Sequence, residues 1–157
     1  MATTVTAAPL TVTLKESVTL NGVDYGGTNT LTIGSVNEIS KRIVTATTTE
    51  QTILQFHATA VGPGKFLEAK VVYIRITNLD DAYHVTLIFK NENDDECAVK
   101  LDKGQSFIFN GDLAGGVVDT VDAVDNDTLT PSLGDLVEIR ADADTASVDL
   151  EVFVASI

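Results

Sequence analysis

The stretch Leu67-Glu-Ala-Lys-Val-Val-Tyr-Ile-Arg-Ile-Thr-Asn78 decides how the chain is read. Val72, Ile74 and Ile76 fall on one side of an extended backbone, and Tyr73, Arg75 and Thr77 on the other. Successive strand side chains point to opposite faces, so this period of two predicts a strand with a buried face. Asn78-Leu-Asp-Asp81 follows as a turn, because short polar side chains bond nearby backbone amides. The same period then returns. Tyr83, Val85, Leu87 and Phe89 share a face before the turn Asn91-Glu-Asn-Asp-Asp95. Cys97, Val99 and Leu101 alternate with Ala98 and Lys100, Lys103-Gly104 turns the chain, and Phe107 and Phe109 mark a further strand. Residues 67–110 are therefore expected to form a four-strand antiparallel meander.

Working outward, the N-terminal side repeats the pattern in Thr and Val. Leu10-Thr-Val-Thr-Leu14 and Val18-Thr-Leu20 alternate, Asn21-Gly22 reads as a turn, and Leu31 and Ile33 share a face before Gly34. Residues 38–48 allow an opening helical turn but centre on Ile43-Val-Thr45, which favours a strand. Ile53, Leu54 and Phe56 precede the loop signal Val61-Gly-Pro-Gly64. On the C-terminal side, residues 111–131 are rich in Gly, Asp and Val and read as a strand giving way to a loop. Val137 and Ile139, then Val148, Leu150, Val152 and Val154, define the last two strands. About nine strands at spacings of roughly 8–12 residues predict an all-β antiparallel sandwich, jelly-roll or Greek-key-like. The expected division is an N-terminal Thr-rich arm or hairpin, residues 1–36, before a sandwich core, residues 37–157.

Composition bounds the function. The chain has 157 residues, 10 Lys+Arg and 23 Asp+Glu, for a net charge of -13. By area–mass scaling a folded monomer exposes roughly 7,600 Å², or about one net negative charge per 580 Å². Such a surface repels phosphate, so neither nucleic acid nor an anionic membrane is an expected partner. An apolar content of 44% is too high for a disordered acidic tail. No apolar run approaches the ~20 residues of a membrane span, and the first ten residues lack the regions of a secretory signal. Much of the negative charge lies in expected turns, at 80–81 and 92–96, and in the loop 119–127. It is expected to form a solvated rim around Thr- and Val-rich strand faces.

Candidate chemistry is sparse. The single cysteine, Cys97, excludes an intramolecular disulfide and is expected to be a small buried apolar residue; an intermolecular disulfide or a reactive thiol is the alternative. His57 and His84 are the only histidine candidates for a general base, and neither adjoins a nucleophile motif. No catalytic or cofactor-binding residue is assigned, and the chain is not expected to be an enzyme. Asp119, Asp122, Asp125 and Asp127 are the weak candidates for calcium, which takes six to eight oxygen ligands, but the EF-hand order is missing and a solvated acidic loop is the plainer reading. Of the few basic residues, Lys41, Arg42 and Arg75 are the candidates for subunit contacts, where they would meet carboxylates of a neighbour.

The segments Tyr73-Ile-Arg-Ile-Thr-Asn78 and Leu101-Asp-Lys-Gly-Gln-Ser-Phe107, flanked by Lys41-Arg-Ile-Val44 and Asp149-Leu-Glu-Val-Phe-Val154, resemble small β-sandwich virion proteins of tailed phages, notably marine phages of cyanobacteria and related hosts. The resemblance spans roughly residues 30–157 and rests on strand-and-turn patterns. It implies a structural component of the particle and carries over no functional residue. The expectation is a capsid decoration or cement protein on the outside of the head. It would assemble in the host cytoplasm, as a homo-oligomer with a trimer as one candidate, and stabilise the lattice of the major capsid protein. A tail, collar or fibre-associated protein is the alternative, and a calcium- or carbohydrate-binding module a further one. The absence of Trp argues against a sugar platform.

Overall fold

The computed structural model describes residues 4–59, 65–110 and 136–157. Thirteen strands run through them: β1 (Ala8–Glu16), β2 (Thr19–Leu20), β3 (Val23–Asp24), β4 (Gly27–Val36), β5 (Glu38–Ala46), β6 (Gln51–His57), β7 (Lys65–Leu67), β8 (Val71–Asn78), β9 (Val85–Asn91), β10 (Glu96–Leu101), β11 (Ser106–Asn110), β12 (Leu136–Ala143) and β13 (Val148–Ser156). A single 3-10 turn, Glu68–Lys70, leads into β8. The all-β expectation holds, but about nine strands was too few. The two-residue β2 and β3 and the three-residue β7 are too short to show a period.

Two sheets face each other. One has the order β11-β8-β13-β5, and the other β10-β9-β12-β6 with β7 added at its edge. The pairing is nested: β5 pairs with β13, β6 with β12, β8 with β11, and β9 with β10. All four pairs are antiparallel; the added β6–β7 pair is parallel. Eight strands nested in this way around two four-stranded sheets form a jelly roll.

This arrangement replaces the expected meander of 67–110. β8 and β9 lie in different sheets, and β10 and β11 likewise, so the chain crosses the sandwich twice. Alternation along a strand says which face is buried, and a strand in either sheet satisfies it equally. Asn78 makes the first crossing possible. Its buried side chain donates to the carbonyls of Tyr83 (3.0 Å) and Leu101 (3.2 Å) and accepts from the amide of Asp80 (2.9 Å). Backbone groups leaving a sheet need such partners, because an unpaired buried carbonyl is costly. Asn91 does the same at the β9–β10 turn, accepting from Asn93 (3.0 Å) and Asp95 (2.8 Å).

The core between the sheets contains Ile74 and Ile76 from β8, Leu87 and Phe89 from β9, Ile139 from β12 and Leu150 from β13, all buried. Phe89 and Phe107 close one part of it at a ring separation of 4.9 Å. Three expectations change here. Val72 joins Tyr73 in a second cluster outside the sandwich instead of sharing the face of Ile74. An irregularity in the β8–β13 register, between Ala155 and Ser156, accounts for the break in alternation. Tyr83 precedes β9 and is exposed. Residues 38–46 are strand from the outset, with no helical turn.

The second cluster lies on the outer side of the β11-β8-β13-β5 sheet. β1 and β4 form an antiparallel ribbon, joined at its far end by the small β2–β3 hairpin. Asn21 and Gly22 occupy its two-residue turn with φ of 51° and 80°. Two positive φ values in succession define the tight hairpin turn that Asn-Gly favours. The near half of the ribbon buries Ile33 and Val36, with Leu10, Val12 and Leu31, against Tyr73, Ile108, Phe153 and Ala155. Between Leu10↔Ile33 and Ala8↔Val36 the register slips by one residue, and Ser35 there has a φ of 61°. This bulge turns the ribbon toward the sandwich. The connection to β5 is Asn37 alone, whose amide bonds the carbonyl of Ser156 at 3.0 Å.

Candidate functional site

The two outer sheet faces differ in chemistry. On the β10-β9-β12-β6 sheet, Arg140 of β12 sits among three carboxylates. Its guanidinium pairs with Glu50 and Glu96, and its Nε lies 3.4 Å from Glu138. Thr52 of β6 donates to Glu138 at 3.0 Å, and Lys90 of β9 pairs with Asp94 at 2.7 Å. Burial alone would lower the Arg140 pKa, but Glu96, Glu50 and Glu138 outweigh it and hold the guanidinium above its ordinary value. The charge is thus not confined to a rim, as the sequence suggested. It also forms a lattice across this sheet face.

The other outer face is apolar where the ribbon covers it. Tyr73 and Phe153 meet edge to face at 5.8 Å. Burial pushes the Tyr73 hydroxyl pKa up, against a smaller opposing effect of Arg75. Beside this patch Glu151 of β13 holds two cations. Arg75 of β8 donates to it at 2.5 Å and Lys41 of β5 lies at 3.0 Å. The bonds from Arg75, then Lys41, hold the Glu151 carboxyl below its usual range. Arg42 points to the other side of β5, where its guanidinium donates to the Ile53 carbonyl of the facing sheet. Lys41, Arg42 and Arg75 thus each have a partner within the chain.

At one end of the sandwich, Thr45, Asp80, Asp81, Ser147 and Asp149 surround an open hollow. The carboxylates there serve the turns. Asp80 accepts from the amides of Ala82 and Tyr83, both at 2.7 Å, and these bonds lower its pKa. Asp149 accepts from Thr45 at 2.7 Å. Among the described residues, no three His, Cys, Asp or Glu side chains come together as a metal-ligand group. The calcium candidates Asp119, Asp122, Asp125 and Asp127 lie outside the described residues, as do the Gly-rich loops at 61–64 and 111–116.

His84 lies 3.7 Å from Asp144, and His57 closes β6 in a half-buried position. Cys97 is exposed, which corrects the expectation of burial. It lies near the start of β10, an edge strand from which Leu101 is buried and Val99 only partly. Partial desolvation raises its thiol pKa. The sequence reading missed the Arg140 cluster, because Glu50, Glu96, Glu138 and Arg140 come together only through the β6–β12–β9–β10 pairing. Among the described residues, no helix is long and apolar enough to cross a membrane.

No protein-family model matches the chain, and no curated protein or solved structure shows significant similarity to it.

Proposed function

We propose that this protein is a non-enzymatic virion component: a decoration protein that sits as a homo-oligomer on the outside of a tailed-phage head and stabilises the major-capsid lattice. The observation that carries this reading is the jelly roll with an apolar ribbon mounted on one outer face. Jelly rolls are used by viral capsid domains, as well as by lectins and cupins. Because one fold hosts many functions, the side chains must discriminate. Here the prominent polar groups are engaged in structure: Arg140 with its carboxylates, Glu151 with Lys41 and Arg75, and Asp80 with turn amides. Such a body works by shape and contact. The resemblance of the β8 and β10–β11 segments to phage virion proteins points the same way.

The test is quantitative protein analysis of purified particles. A copy number comparable with that of the major capsid protein supports head decoration. A small fraction of it moves the protein to the tail, collar or fibre. Absence from the particle overturns the reading.

A further inference from the structure

The ribbon has two halves with different surroundings. The near half is buried on the sandwich. The far half carries Leu14, Val18, Leu20, Val23 and Tyr25, each between 42% and 65% exposed. This tip is an ordered element: the Asn21-Gly22 turn is tight, Tyr25 bonds Val18 (2.9 Å), and Asp24 accepts from the Gly26 amide (2.8 Å). A two-stranded hairpin is only marginally stable without a surface to pack on. A second uncovered apolar surface lies on β5. The ribbon covers residues of β8, β11 and β13 and leaves Ile39 and Ile43, on the same outer face, 59% and 65% exposed. Among the described residues β5 is also the edge of its sheet, with no strand paired on its outer side, and exposed edges invite pairing.

We propose that the far half of the ribbon of one copy docks on β5 of a second copy, covering Ile39 and Ile43. At a little over about 100 Å² apiece, the five tip side chains of one copy and the two β5 side chains of the other amount to roughly 800 Å² of apolar surface over both partners; interfaces being roughly 56–58% apolar, the whole contact would total about 1,400 Å², within the range of a standard specific interface. Charge points to the same pairing. Two copies at -13 repel each other broadly, but these two surfaces carry little charge and of opposite sign. The tip holds Glu16 and Asp24 with one Lys15, and the outer face of β5 presents Lys41 between Ile39 and Ile43. Lys41 is 58% exposed and, among the described residues, pairs with Glu151 alone, which leaves donors for an incoming carboxylate. Because the two contact surfaces differ, the contact is heterologous, and repeating it produces a ring when the rotation closes.

The inference rests only on the homo-oligomeric part of the function proposed above, and purified protein tests it apart from any particle. Light scattering after size exclusion is expected to show a small oligomer for the native chain. Leu20→Asp and Ile43→Asp are each expected to yield monomers with an unchanged circular dichroism spectrum. Mixing the two variants is expected to give heterodimers, since one retains an intact β5 and the other an intact tip. An amine cross-linker on the native chain should join Lys15 to Lys41 in the oligomer band and not in the monomer band; this readout stands even if a variant misfolds. A native chain that stays monomeric overturns the inference together with the homo-oligomeric part of the proposed function, and leaves the location on the particle to its own test. An oligomer without the Lys15–Lys41 link, or indifferent to both folded variants, overturns it too.

Discussion

The inner faces of the two sheets are alike and the outer faces are opposites. Across β10-β9-β12-β6 the outer surface is a lattice of Arg140, Glu138, Glu96, Glu50 and Lys90 that faces water. Across β11-β8-β13 it is Tyr73, Phe153, Ile108 and Ala155 under a ribbon, with a charged border of Arg75, Glu151 and Lys41. An antiparallel sheet solves its outer face either by polar alternation or by adding a further layer. This molecule does one on each side. The lesson is that a buried-looking residue on a two-faced strand need not belong to the central core.

The comparison predicts different responses on the two sides. The largest effect is expected at Ile33, buried between ribbon and sheet. Ile33→Ala should cost about 2–4 kcal/mol, the range for truncating a buried aliphatic side chain. The loss should be local, with limited proteolysis cutting the ribbon while hydrogen exchange at β8 and β13 stays slow. Simultaneous loss of ribbon and sandwich would mean the third layer is not separable. A smaller effect is expected on the charged side. Arg140→Met leaves Glu50, Glu96 and Glu138 facing one another, and should cost about 1–2 kcal/mol at neutral pH, since like charges in contact destabilise. Protonation relieves repulsion among carboxylates, so the deficit should shrink as pH falls. A denaturant midpoint equally low at pH 5 and pH 7 would break this account.

The smallest effect is expected at Glu151. Its folded-state pKa lies below the ordinary 4.5. The stabilisation it adds is full above pH 4.5 and disappears as pH falls through the lowered folded value. Glu151→Gln should therefore lower stability slightly at pH 7, with the deficit fading below pH 4.5, so that its acid limb is flatter than that of the native chain. An acid limb identical to that of the native chain would show that Arg75 and Lys41 do not act through this carboxylate.

The strand faces of β9 and β13 were legible in the sequence because a period of two is a local property; in β12 the expected pair Val137 and Ile139 is half wrong, because a register irregularity between Leu136 and Glu138 buries Leu136 and leaves Val137 half-buried. Asn78 and Asn91 were legible as turn residues, but not as buried ties between backbone segments. Sheet membership was not legible at all. β8 and β9 each satisfy the same alternation, and what separates them is a crossing fixed by contacts to Tyr83 and Leu101. The same limit hid the Arg140 cluster, whose members lie far apart in sequence. Cys97 misled for a related reason: alternation placed it with Leu101, but burial depends on how far the facing sheet extends.

The nested pairing also sets an order of events as the chain is made. β9 meets β10 across one short turn, whereas β5 must wait for β13, with Ala46 opposite Val148. At about 5–20 residues per second of synthesis, on the order of ten seconds separate the making of those two strands. The ribbon can close on itself early, since β1 and β4 are near in sequence, but the sheet it rests on is completed last. Nascent chains therefore spend that interval with β5 unpartnered and apolar surface in water. Closure of so many distant contacts is slow, and yield in the cell should depend more on chaperone supply and temperature than on the stability of the finished protein.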